Sequence, residues 1–134
     1  MAETLELEVA TPERELVREQ VSEVQIPGKN GYLGILPGHA PLLGLLGIGT
    51  LTYVVEGEKR YLAVHCGFLE IADDHVRVVA DAAERSSEID VERAKAALQR
   101  AQEEGINPAI GVDPGAALEA AARAQARIST AELK

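Results

Sequence analysis

Four arginines near the end of the chain are spaced as pairs. Arg93 and Arg100 stand seven residues apart and Arg123 and Arg127 four apart, so in helical segments each pair shares a face. In an antiparallel arrangement of two helices the pairs can face each other, and guanidinium forks match phosphate oxygens in both geometry and charge. The alternative is a solvated helix face, with the same arginines paired to Glu92, Glu103 or an acidic partner. No Gly-x-x-x-x-Gly-Lys-Ser/Thr run occurs, so any phosphate binding comes without the loop that serves nucleotide hydrolysis.

The other reactive side chains argue against an enzyme. His39, His65 and His75 are isolated, with no His-x-x-x-His or Cys-x-x-Cys spacing, and no metal site is expected. Ser22, Ser86, Ser87 and Ser129 lack a Gly-x-Ser-x-Gly setting. Cys66 has only His65 beside it, and neighbours on a strand project to opposite faces. Cys66 is read as a small apolar strand residue, and a single thiol, unable to close an internal disulfide, fits a reducing compartment. Asp73-Asp74 reads as a turn. No catalytic residue is assigned.

The formal charge of −9 over 134 residues excludes a nucleic-acid module, which depends on clustered Lys and Arg. The acidity is concentrated before residue 85, and the later arginines bring the rest close to neutral. The start, Met1-Ala2-Glu3-Thr4-Leu5-Glu6, has neither signal-peptide nor transit-peptide character. No apolar run reaches the roughly 20 residues of a bilayer crossing; the nearest, 35–48, is broken by Gly and Pro. Direct membrane insertion is not expected, and any membrane association must run through partners.

From Thr4 to Asp81 apolar and polar residues alternate, as in Leu5-Glu6-Leu7-Glu8-Val9 and His75-Val76-Arg77-Val78-Val79, the period of half-buried strands. Further strands are expected at 19–26, 32–36, 49–56, 59–65 and 68–72, with hairpin turns at Glu56-Gly57-Glu58 and Asp73-Asp74. The breakers between Pro27 and Pro41 imply a bend or a short crossing strand. Beyond Asp81 the period becomes helical. Ser87 is the expected N-cap of a helix running to Glu104, with Gly105 as its stop; Asp113 and Pro114 open a second helix to about Thr130. The expected fold is an N-terminal antiparallel β-sandwich, residues 1–84, followed by a C-terminal antiparallel two-helix hairpin, residues 85–134.

The second helix is dominated by alanine, the best helix former. An Ala seam buries few methyl groups, so at about 25 cal/mol per Å² it docks far less firmly than a Leu/Ile seam. Such helices form easily and separate easily, as a two-state element must. The alternative is a close-packed, permanently folded pair in which Ala lets the backbones approach.

Two segments carry a resemblance that extends over essentially the whole chain. The first is Ile26-Pro27-Gly28, then Gly31-Tyr32-Leu33-Gly34-Ile35-Leu36-Pro37-Gly38-His39-Ala40-Pro41-Leu42-Leu43, then Gly67-Phe68-Leu69-Glu70-Ile71 and Val76 to Asp81. The second is Ile89-Asp90-Val91-Glu92-Arg93-Ala94. Together they resemble the epsilon subunits of bacterial F-type ATP synthases, the second segment being similar to the Ile/Leu-Asp-x-x-Arg-Ala motif of ATP-binding members.

The resemblance implies a non-catalytic rotor subunit of the central stalk, coupling proton-driven rotation to ATP synthesis. Its sandwich would bind the gamma subunit and the c-ring through Tyr32, Gly34, Pro37, His39 and Leu42. Its hairpin would bind ATP as a regulatory ligand, with no cofactor required, through Glu84, Ile89, Asp90, Arg93, Arg100, Arg123 and Arg127. Extended into the alpha/beta catalytic head, the hairpin would inhibit hydrolysis. The implied location is peripheral, at the cytoplasmic face of the bacterial plasma membrane. The competing reading is a free-standing ligand-binding β-sandwich with a helical tail.

Overall fold

The computed structural model describes residues 3–133. Seven strands come first: β1 Leu5–Ala10, β2 Glu15–Val21, β3 Glu23–Gly28, β4 Gly31–Ile35, β5 Leu42–Val55, β6 Glu58–Ala72 and β7 His75–Arg85. They form a hydrogen-bonded sheet in the order β2-β1-β7-β6-β5-β3-β4. The pairs are antiparallel except β1 with β7, which run parallel from Glu6↔His75 to Ala10↔Val79.

The sheet folds over a single core. Leu7 and Val9 of β1, Ile26 of β3, Leu51 of β5 and Leu62 of β6 are completely buried and belong to one apolar cluster, and β2 packs against β5 although the two are not sheet neighbours. Each such Leu or Ile stabilises the body by about 1.5–3 kcal/mol of burial.

Alternation located most strands and failed where the backbone changes phase. The expected strand 19–26 is two strands, because Val21 and Val24 are both buried although their spacing of three puts them on opposite faces of any continuous strand. The chain crosses from β2 to β3 at Ser22, whose N–H donates to Val54 O at 2.9 Å. The expected strands 59–65 and 68–72 are one, β6, kinked at Cys66 and Gly67, whose φ angles are 51° and 129°. A side chain at Gly67 would collide with Val79 O, so glycine is required there. The two hairpin turns form as expected, with positive φ at Glu56, Gly57, Asp73 and Asp74.

Helices α1, Val91–Ile106, and α2, Pro114–Ala131, follow. The cap of α1 is Asp90, which accepts from Arg93 N at 3.1 Å, and not Ser87. Residues Ser86–Glu88 form a separate 3-10 turn, because Ile89 is drawn down onto the sheet. Gly105 lies inside α1, one residue before its end. Asp113 caps α2, accepting from Ala116 N at 3.1 Å, with Pro114 first in the helix.

The helices pack on each other, and α2 lies against β5 and β6. Their buried residues are Ala94 and Ala101 in α1 and Ala117, Ala124, Thr130 and Ala131 in α2. Ala94 and Ala101, like Ala117, Ala124 and Ala131, recur every seven residues, the spacing of a close two-helix seam. The main core contains none of them. A separate small cluster of Ala63, Ile89 and Ala131, with Val91 against it, joins helices to sheet.

Candidate functional site

A cleft of about 200 Å³ lies between α2 and the outer face of β6 and β7. His65, Ala82, Ala83 and Glu84 line one side, and Arg123, Ala126 and Arg127 the other. The two arginines are one helical turn apart and therefore enter it together.

Arg127 Nε stands 3.0 Å from Glu84 Oε1. The contact is an ion pair out of line for a hydrogen bond, and this buried Nε has no hydrogen-bond partner among the described residues. A buried N–H of that kind is costly unless a ligand or water completes it. Deeper along α2, Arg123 Nη1 donates to Glu119 Oε1 at 3.3 Å, and His65 Nε2 lies 3.1 Å from the same oxygen. The His65 hydrogen bond is the main reason the Glu119 carboxyl is held below its usual range; burial opposes it and the Arg123 charge assists.

The remaining residues of the expected nucleotide site lie elsewhere. Ile89 is packed between Ala63 and Ala131. Asp90 is occupied as the cap of α1. Arg93 and Arg100 are exposed on α1 and do not line the cleft. The structure thus brings together Glu84, Arg123 and Arg127 and leaves the two α1 arginines outside.

Sequence reasoning missed the contact between His65, Cys66 and Glu119. Side chains of His65 and Cys66 were expected on opposite faces, but the positive φ at Cys66 turns its thiol, and the donor atoms of all three residues lie within 4.8 Å of one another. The dipeptide Cys66-Gly67 was the available signal, since a glycine beside a strand residue often marks a kink.

Outside the cleft, β4, β5 and β6 expose large apolar side chains to solvent. Tyr32, Leu42 and Leu45 line a shallow groove, and Leu45 sits opposite Phe68 in register. Tyr32 is 54% exposed, Leu43 75% and Phe68 58%, a concentration of large apolar side chains that marks an interaction surface rather than scattered surface residues. Gly34 is exposed nearby, whereas Pro37 and His39 are half-buried in the loop after β4. The loop is pinned by Gly38 N, which donates to Asp74 Oδ1 at 2.6 Å, and His39 Nδ1 lies 2.7 Å from Ala40 O. Leu43, Leu45 and Phe68 were absent from the sequence-based interface, although Leu43 and Leu45 show the two-residue period of one strand face.

Among the described residues no helix is long and apolar enough to cross a membrane. Residues 4–86 match the family model of the ATP synthase delta/epsilon chain, β-sandwich domain. The chain is similar in fold to one in a cryo-EM structure of the Euglena gracilis mitochondrial ATP synthase, with a TM-score of 0.80 at 23% identity, covering 100% of this chain and 84% of that one. It is also similar to one in the central stalk and c-ring of the Tetrahymena thermophila mitochondrial ATP synthase, with a TM-score of 0.59 at 18% identity, covering 96% and 91%. The ATP synthase epsilon chain of Solibacter usitatus is 70% identical over 134 residues, which is 100% of both chains. On that identity and the match over the sandwich, this chain belongs to the ATP synthase epsilon chain family and is a non-catalytic subunit of that complex.

Proposed function

We propose that the chain works as a rotor element of the central stalk, coupling proton-driven rotation to ATP synthesis. In this reading residues 1–84 grip the gamma subunit and the c-ring, and residues 85–134 regulate. The observation that carries it is the exposed apolar face of Tyr32, Leu43, Leu45 and Phe68 on a rigid sheet. A partner's burial of that face would supply docking energy without any change in the sandwich. As part of that complex the chain would sit peripherally, at the cytoplasmic face of the bacterial plasma membrane.

The regulatory half of the proposal rests on how the helices are held. A small bridging cluster and the hydroxyl contact between Thr50 and Thr130 keep α2 on the sheet, and Ile106 and Leu118, 82% and 74% exposed, offer apolar contacts near the connection between the helices. Released from the sheet, the hairpin would extend into the alpha/beta head and block hydrolysis. ATP bound across Glu84, Arg123 and Arg127 would favour the docked form. The cleft of about 200 Å³ is too small to enclose a whole nucleoside triphosphate, so part of the ligand would lie outside it, and Arg93 and Arg100, exposed on α1, are the remaining cations of the proposed set.

The test is capture of purified gamma subunit by the full chain. Wild type should retain gamma at micromolar concentration and L45E should not, with unchanged melting of both proteins. Absence of capture by the wild type would overturn the rotor reading.

A further inference from the structure

We propose that His65, Cys66 and Glu119 form a binding site for a divalent transition-metal ion of the zinc class, which would fasten α2 to β6. An imidazole nitrogen, a thiolate sulfur and a carboxylate oxygen make a donor set suited to Zn(II) or Co(II); Mg(II) and Ca(II) favour oxygen ligands. The fourth tetrahedral position remains for water.

The geometry is already close to that of a loaded site. With metal–nitrogen and metal–oxygen bonds of about 2.0–2.1 Å and a metal–sulfur bond of about 2.3 Å, tetrahedral ligand atoms stand roughly 3.3–3.6 Å apart. His65 Nε2 and Glu119 Oε1 are 3.1 Å apart, and the thiol lies within 4.8 Å of both. Closing the set needs a movement of about an ångström, within reach of a χ1 change at Cys66 and of the flexible Glu119 side chain.

The backbone supplies a second, independent argument. An ordinary strand would send neighbouring side chains to opposite faces. Here Cys66 has φ 51° and Gly67 φ 129°, and positive φ is costly for a residue with a Cβ. The effect of the distortion is to bring a thiol beside an imidazole, opposite a carboxylate on another element.

Burial foremost, and then the charges of Glu119 and Asp81, push the Cys66 thiol up. A coordinating dication reverses that preference and displaces the thiol proton to solvent. It would also compete with Arg123 for the Glu119 carboxylate, freeing that guanidinium. Cys66 and Glu119 face a second cleft, lined also by Lys29 and Leu45, so the site adjoins the nucleotide cleft without depending on it.

The test uses the full chain, stripped with chelator and titrated with cobalt(II) in the absence of nucleotide. One equivalent should produce a thiolate-to-metal charge-transfer band in the near ultraviolet, with tetrahedral d–d bands in the visible. C66S should abolish the charge-transfer band. E119Q, altering a half-exposed side chain, should weaken cobalt and zinc binding at least tenfold. Zinc should raise the thermal midpoint of the wild type and slow modification of Cys66 by a thiol reagent. The proposal is overturned by the absence of a charge-transfer band at stoichiometric cobalt, by its survival in C66S, or by affinities unchanged in E119Q.

Discussion

Thr130 Oγ1 of α2 and Thr50 Oγ1 of β5 lie 2.8 Å apart, and Thr130 is completely buried. This hydrogen bond spans the boundary between helices and sheet, where apolar contact is thin. T130V keeps the shape and removes the bond, and should weaken docking of α2 by about 1 kcal/mol. Hydrogen exchange should show roughly fivefold faster opening of α2 amides, with β1 and β7 unaffected. Equal acceleration in the sheet would mean that helices and body open as one unit.

The nucleotide cleft makes a graded prediction. Arg127 and Arg123 line it, whereas Arg93 is exposed on α1. R127A should abolish the rise in thermal midpoint produced by ATP, and R93A should only reduce it. Saturation at a hundred times the dissociation constant corresponds to about 2.7 kcal/mol of stabilisation, large enough to resolve by calorimetry. An equal loss in both variants would place the phosphates along α1 instead.

Acid stability should depend on Glu88. The hydrogen bond from Arg14 is the chief cause of its lowered pKa; burial opposes it, and the N–H and charge of Arg85 assist. Because the folded value lies below the unfolded one, the contribution is fully present above the ordinary carboxylate pKa of about 4.3. It is lost as pH falls through the folded value. E88Q should melt lower than wild type at neutral pH, with the two curves converging in acid. Parallel curves down to acid pH would show that Glu88 does not titrate with folding.

The body and the appendage should respond differently to core changes. Leu51 is completely buried in the sheet core, and L51A should cost about 2–5 kcal/mol and lower the urea midpoint of the strands. A124L would overpack the helix seam, where Ala124 is 1% exposed, at about 1–3 kcal/mol. Its effect should appear in helical circular dichroism or α2 exchange, leaving the sheet transition in place.

Features governed by local chemistry were legible in the residues. Asp113-Pro114 fixed the start of α2 because cap and first-turn preferences agree there. The turns at Glu56-Gly57 and Asp73-Asp74 were legible for the same reason. Ser87 and Asp90 are both good caps three residues apart, and the choice was made by a tertiary contact, the insertion of Ile89 between Ala63 and Ala131.

The arginines show both the reach and the limit of periodicity. Spacing placed each pair on one face but did not say which face meets the sheet. Ala94 and Ala101 form the α1 side of the seam, and Arg93 and Arg100 each precede one of them by a residue. One residue is about 100° of helical rotation, which carries those arginines off the seam. The seven-residue recurrence of the alanines is the sequence signal that fixes the position of the arginines. The reorientation of Cys66 had only the following glycine as a hint, because alternation assumes a regular backbone.

The parallel pairing of β1 with β7 governs the order of events during synthesis. Strand β1 has β2 available at once, but its other edge stays open until His75–Arg85 has left the ribosome. Closure therefore waits on a contact between residues about seventy positions apart, the kind of non-local pairing that slows folding. When it forms, both edges of β1 are paired, so a finished platform is in place to receive the helices that follow.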